Sequence, residues 1–361
     1  MPLLLLLLFL LCSCSSPPAQ KTVCIMTYKV PGEKPWDPSS LERGISGSEE
    51  AVIYMSEELA QLGYKVTVLG HPASDSPATA NPRFIDIDHD DGSKYDIAIS
   101  WRKPTNAKQL KTRASKVYFW PHDPCNKRLT DKQIERIDGI LWLSKWQRDQ
   151  WISLNPSMAK FATIFGNGIR PSSEKPSITN PYSCIYSSNY GRGLEILLDI
   201  WPEVKKEYPK ATLDLYYGWK HWGHLTPEKE AHMRAQVAQL ANLGVRDHGM
   251  VSHRELESAH AHTSLWTYPC IAPETFCITA LRAQAAGNIP VILDGSALTE
   301  TVRHGFRCDS REEYLATLLA ALKHAENTTQ QERENIGAFV QSEFTWKAVA
   351  LKWKELFEAQ P

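Results

Sequence analysis

The chain of 361 residues has no surplus of charge of either sign: 40 Lys and Arg stand against 41 Asp and Glu, for a net charge of −1. No global field therefore draws it to nucleic acid or to an anionic membrane surface, and its partners must be read from local sites. Long apolar runs are missing too. The most apolar block, Leu3 to Leu11, is less than half of the roughly 20 residues that a membrane-spanning helix needs, so no transmembrane span is expected. None of the 8 cysteines forms a Cys-x-x-Cys pair, which argues against a zinc site and against a compact disulfide framework. Cys24, Cys125, Cys184, Cys270, Cys277 and Cys308 read as buried free thiols. His221, His224, His248, His253, His260 and His262 lack the i, i+4 spacing beside an acid that marks a helical zinc site, and no metal is expected. The Gly-x-Gly-x-x-Gly fingerprint of nicotinamide binding is absent, as is any repeat of solenoid length.

What is present begins with residues 1–20, which read as a signal-like leader. The apolar block ends in Cys12-Ser-Cys-Ser-Ser-Pro-Pro, a small-residue exit suited to a secretory signal, and Leu11-Cys-Ser-Cys14 partly matches a lipoprotein cleavage site. That reading places the protein in the secretory pathway or the envelope; a start near Lys21 would leave it in the cytoplasm. Asn327-Thr-Thr329 is a glycosylation acceptor by pattern, which has meaning only on the secretory route.

From Thr22 onward short β-prone runs alternate with helical patterns, and the length suits two α/β domains. In the first half the strands are expected at Thr22 to Thr27, Lys65 to Leu69, Tyr95 to Ser100, Lys116 to Trp120, Gly139 to Ser144 and Phe161 to Ile169. Between the first two, Gly44-Ile-Ser-Gly-Ser-Glu-Glu50 leads into a helix with the apolar stripe Val52, Met55, Leu59 and Leu62, and Ser48 is placed to cap it. The polar, proline-rich stretch 171–182 reads as a linker. Residues 21–170 and 183–340 then form the two domains, and 341–361 a terminal amphipathic helix. The second half repeats the alternation, with strands at Ser183 to Ser188, Leu213 to Tyr217, Gly244 to Gly249, Ser264 to Tyr268 and Ile289 to Ile292.

Three loops carry candidate chemistry. After Ser264 to Tyr268, Pro269 and Pro273 force an extended loop that puts Glu274 at the carboxyl edge of a sheet, ahead of a helix closed by Gly287. There Glu274 either meets a ligand or caps that helix. Asn189-Tyr-Gly-Arg-Gly193 sets Arg192 at a helix N-terminus, where free N–H groups and a guanidinium suit a diphosphate; Lys220 follows the next strand. Pro121-His-Asp-Pro124 holds His122 at a strand end between two prolines.

The order of these pieces resembles the retaining glycosyltransferases of family 4, over about residues 22 to 357. The resemblance implies an α/β chain of the GT-B fold, with two Rossmann-like doubly wound domains facing each other across a cleft and the last helix crossing back to the first domain. It implies transfer of a sugar from a nucleotide-diphosphate donor to a glycan, lipid or other small acceptor with retention, without cofactor or nucleic acid. The family signature is a Glu, seven residues, and a second Glu. Glu274 matches the first, while the second position is Arg282, which cannot accept a hydrogen bond. By this resemblance His122 and Glu274 are catalytic, and Gly47, Arg192, Lys220, Glu274, Thr275, Phe276, Cys277, Ile278 and Arg282 bind the donor. Arg282→Glu is then expected to tighten donor binding. Ser46 stands where the family has a glycine, and Tyr186 to Ser188 offer no basic residue where the family has one. Those departures raise the alternative of a noncatalytic nucleotide-sugar or sugar-binding protein on a degraded scaffold.

Overall fold

The computed structural model describes residues 20–172, 174–219 and 225–359. Two parallel sheets organise them. The first contains β1 (Thr22–Met26), β2 (Lys65–Gly70), β3 (Arg83–Asp86), β4 (Tyr95–Trp101), β5 (Ala114–Trp120) and β6 (Gly139–Ile140), in the order β3-β2-β1-β4-β5-β6. The second contains β7 (Ser183–Ser187), β8 (Thr212–Tyr216), β9 (Val245–Gly249), β10 (Leu265–Tyr268), β11 (Ile289–Leu293) and β12 (Phe306–Cys308), in the order β12-β11-β10-β7-β8-β9. Each order reverses beside its first strand, as in Rossmann-like domains, and it is at such a reversal that loops part to leave a crevice. The central strands are short and apolar because helices cover both faces: Val23 to Met26 and Cys184 to Tyr186 are all buried.

The first domain carries α1 (Gly47–Gln61), α2 (Ala107–Leu110), α3 (Asp131–Ile134) and α4 (Lys145–Leu154). The second carries α5 (Leu194–Glu207), α6 (Pro227–Leu240), α7 (His253–Ala261), α8 (Ile278–Ala285), α9 (Leu298–Thr301), α10 (Tyr314–Ala325) and α11 (Gln330–Glu343). The last helix, α12 (Trp346–Glu358), is capped by Thr345, whose hydroxyl accepts the Ala348 N–H at 3.1 Å. It packs beside α1 on the first sheet: the Trp353 ring lies 4.7 Å from Trp120, and Phe357 lies 5.0 Å from Tyr118. Its apolar stripe therefore completes the core of the first domain and not that of the domain preceding it in sequence. Among the described residues no helix is long and apolar enough to cross a membrane.

Several expected elements differ. Residues 161–169 form no strand; isolated bridges join Ile164 to Trp142 and Ile169 to Thr345, and the Phe165 and Gly166 N–H groups both turn to the Trp142 carbonyl. β6 stops at Ile140, although the Leu141 N–H still donates to Phe119. The helix α1 begins two residues earlier than expected, with Ser46 and not Ser48 at its cap position. It is also buried beyond a single stripe, from Glu50 to Ser56, because α12 covers one side and the second domain another. The leader up to Ala19 and Lys220, His221 and His224 lie outside the described residues.

Candidate active site

A cavity of about 420 Å³ opens between the two sheets. Its walls come from loops that leave the carboxyl ends of strands: 46–48 and 122–124 from the first domain, 187–192 and 272–279 from the second. Gly193 makes one of these walls possible. Its φ is +101°, and a Cβ there would fall 1.9 Å from the Pro269 carbonyl oxygen, so the loop carrying Arg192 can lie against the loop carrying Glu274 only with glycine at that position.

Glu274 does not cap α8. The cap position is Cys277, in a left-handed conformation at φ 70° and with no side-chain bond to the helix. The Glu274 carboxylate instead forms an ion pair with Arg192 and accepts the Tyr268 hydroxyl at 2.5 Å, while its own N–H donates to Ser296 Oγ at 2.9 Å. Attraction to Glu274 is the main reason that the Arg192 guanidinium holds its proton even more firmly than usual, outweighing the opposing effect of burial.

His122 lines the same cavity from the first domain, edge-on to Trp120 at 4.6 Å and tilted on Trp101 at 5.9 Å. Burial, reinforced by the nearby Arg102 charge, pushes its pKa well below the usual histidine value, so the ring is neutral. Its Nε2 is buried without a hydrogen-bond partner among the described residues, as is Asn167 Oδ1 on the same wall. Buried polar atoms of this kind are uncommon, and at a cavity wall they are groups available to a ligand. Arg102 is held by Asp123 through bonds of 2.8 and 2.7 Å. Its burial disfavours the charge, but bonding to Asp123 overcomes this and raises its pKa.

The two domains touch directly around the cavity. Thr275 Oγ1 donates to the His122 carbonyl at 2.9 Å, and Ser144 Oγ donates to the Thr275 carbonyl at 2.8 Å. Glu300 accepts the first N–H groups of α4, from Lys145 and Trp146, at 2.8 and 2.7 Å, so a carboxylate of one domain neutralises a helix N-terminus of the other. Ser46 Oγ meets Tyr217 OH at 3.2 Å.

No family model matches the chain, and no curated protein sequence matches it. Solved structures do. Sucrose-phosphate synthase from Thermosynechococcus elongatus is 13% identical, with 94% of this chain and 98% of that one covered at a TM-score of 0.69. The Anabaena protein HepE in complex with UDP-glucose is also 13% identical, over 94% of this chain and 100% of its own, at a TM-score of 0.69. Trehalose 6-phosphate synthase from Burkholderia multivorans is 8% identical over 94% and 98%, at 0.65. The chain has the GT-B fold.

Within the GT-B cleft the residues singled out by sequence fall into three groups. His122, Arg192, Glu274, Thr275 and Gly47 stand at the cavity wall, Gly47 as the first residue of α1. Phe276 and Ile278 also border it, but each is buried in the core that includes α12, and Cys277 shapes the turn between them. Arg282 departs from expectation: it has a protein partner of its own. The guanidinium is buried against Glu50 of α1, at 2.8 Å, where both line a small third cavity. Burial opposes its charge, yet Glu50 and then Glu257 outweigh that and raise its pKa. Arg282 is thus paired with Glu50 of the opposite domain, which argues against the expectation that Arg282→Glu tightens donor binding.

Asn167, Ser187, Ser188 and Tyr217 were not named as site residues from sequence, although all four line the cavity; Ser187 and Ser188 stood out only as lacking the basic side chain that the resemblance places there. Asn167 belongs to an Asn-Gly pair, whose turn chemistry masks any other role. The serines end a strand, and nothing in their type distinguishes them from ordinary polar residues.

Proposed function

We propose that the protein transfers a sugar from a nucleotide-diphosphate donor to an acceptor hydroxyl with retention of anomeric configuration. The observation that carries this reading is the Arg192–Glu274 pair on one wall of the cleft with neutral His122 on the other. A sugar ring offers hydroxyl donors that match the Glu274 carboxylate, and a diphosphate offers the anion that Arg192 can bind with a fixed cation. In the transfer, the bond from the anomeric carbon to the phosphate oxygen breaks and the bond to the acceptor oxygen forms on the same face. The acceptor proton passes to the departing diphosphate, whose developing charge Arg192 stabilises in a low-dielectric site. His122, unable to hold a second proton at neutral pH, serves as a neutral hydrogen-bonding wall for the sugar. The named ligands of the structural neighbours, UDP and UDP-glucose among them, support a nucleotide-sugar donor.

The acceptor reaches the anomeric carbon through an adjoining cavity of about 510 Å³ lined by Trp36, Arg43 and Arg102, which shares Ser46, Ser48 and Tyr217 with the first. A panel of nucleotide sugars tests the reading. A donor at about 100 times its Kd adds roughly 2.7 kcal/mol to stability and so raises the melting temperature. That donor is expected to be consumed with its anomeric configuration kept, and Glu274→Gln to slow consumption about 10- to 100-fold, the worth of a charge-assisted hydrogen bond. Inverted product would refute retention; tight binding without consumption would favour a noncatalytic binding protein.

A further inference from the structure

Ser187 ends β7 at the junction of the main cavity and the small third one, and Ser188 follows it on the main cavity wall. Ser187 Oγ lies 3.0 Å from His260 Nε2, and His260 Nδ1 lies 2.6 Å from Asn288 Oδ1. All three side chains are buried. The Asn288 amide nitrogen is fixed by two backbone carbonyls, of His260 at 2.7 Å and Thr263 at 2.5 Å, and carbonyls only accept. The amide oxygen therefore faces the imidazole, and because it too can only accept, the ring proton must sit on Nδ1. Burial lowers the His260 pKa to about 3, so the ring carries one proton and Nε2 has none. The hydroxyl proton of Ser187 consequently points inward to Nε2.

Ser188 reaches the same state by a separate route. Its Oγ is 3.2 Å from Tyr268 OH, whose single proton is committed to Glu274 at 2.5 Å, so Ser188 is the donor in that contact.

From these two chains we infer that Ser187 and Ser188 form an acceptor-only subsite, built to receive a hydrogen-bond donor of the ligand, namely a ribose or sugar hydroxyl. Both hydroxyls have their protons directed into the protein and only lone pairs left for the cleft. A phosphate oxygen, which also only accepts at neutral pH, is disfavoured there. The inference rests on the proposed nucleotide-sugar binding for the identity of the ligand, while the direction of the serine hydroxyls rests on the protein alone. It gives this chain an acceptor of its own near Arg282, where the side chain can only donate.

Calorimetric titration with UDP and its 2′-deoxy and 3′-deoxy forms, and with UDP-glucose and its deoxyglucose analogues, separates a ribose hydroxyl from a sugar hydroxyl. ADP- and GDP-based ligands serve the same purpose if uridine is not the base. For the wild type, removal of one particular hydroxyl is expected to weaken binding about three- to tenfold, a typical neutral hydrogen bond. Ser187→Ala or Ser188→Ala is expected to lose that discrimination and bind the deoxy ligand as well as the parent. Equal weakening of every ligand would overturn the subsite. Ser187→Thr, which keeps a hydroxyl, is expected to keep the discrimination, and its loss would count against the inference; melting temperatures confirm that each variant is folded. Nitrogen NMR of His260 decides the direction of the Ser187 hydroxyl without any nucleotide: a neutral ring protonated at Nδ1 is expected, and a proton on Nε2 would refute the arrangement. If the wild type bound no nucleotide at all, the glycosyl transfer reading would fall and with it the identity of the ligand, while the NMR result would still decide whether the serine acceptor exists.

Discussion

Arg282→Glu is the change for which sequence and structure give opposite expectations. In the structure Arg282 and Glu50 are 9% and 2% exposed and bonded at 2.8 Å across the domain boundary, with Glu257 contributing to the field around the guanidinium. A glutamate at 282 would remove the guanidinium bonded to Glu50 and put a second carboxylate beside it, leaving His253 Nδ1 at 3.8 Å in a ring whose charge burial disfavours. Breaking a buried pair costs about 3–5 kcal/mol because the surviving charge is left without compensation. Two like charges about 4 Å apart add a repulsion of up to roughly 4 kcal/mol at an effective dielectric of 20, relieved in part when one carboxyl takes up a proton. Counting the broken pair alone, a loss of about 3–5 kcal/mol in a domain of this size lowers the melting temperature by roughly 6–20 °C. The assay is thermal unfolding at pH 7 of the wild type, Arg282→Glu and the exchanged double variant Glu50→Arg with Arg282→Glu. The exchanged pair is expected to recover at least half of the loss. Melting of Arg282→Glu within about 1 °C of the wild type, or tighter donor binding by it, would refute the claim that Arg282 is committed to Glu50.

The strands of both sheets could be read largely from short apolar runs, because a parallel strand covered on both faces has few ways to look polar. β3 and β12 escaped that reading: they are edge strands of 4 and 3 residues, with Arg83 and Arg307 inside them, and their place depends on pairing with β2 and β11. The run from Phe161 to Ile169 misled for the opposite reason, since its β propensity is answered by two isolated bridges and by packing against α12. In the site, Arg192, Glu274 and His122 were legible because glycine and proline fix where their loops turn. The contacts of Glu50, Ser187 and Ser188 were not, because their partners Arg282, His260 and Tyr268 lie 232, 73 and 80 residues away. Local pattern carries no information at that range.

Arg192→Ala is expected to weaken nucleoside diphosphate binding about 10- to 100-fold while leaving nucleoside binding nearly unchanged, measured by titration; equal losses would show that the guanidinium does not meet phosphate. Trp353→Ala, which empties a fully buried site against Trp120, is expected to cost about 3–5 kcal/mol and to loosen α12 from the first domain, visible as faster hydrogen exchange in both α1 and α12. The pH dependence follows from His260. Its folded pKa, near 3, lies below the unfolded value of about 6.5, so between those limits the unfolded chain holds a proton that the native ring refuses. Stability from this group is complete above pH 6.5 and is lost progressively as pH falls, by up to about 1.4 kcal/mol for each unit. His122, also buried and held neutral, acts in the same direction, and the carboxylates add their own acid dependence. Comparing the wild type with His260→Gln isolates the one term, because every other group is common to both. Between pH 6 and pH 4.5 the wild type is expected to lose about 2 kcal/mol more than the variant in denaturant unfolding, and parallel curves would mean that the native ring takes up a proton as readily as the unfolded chain does.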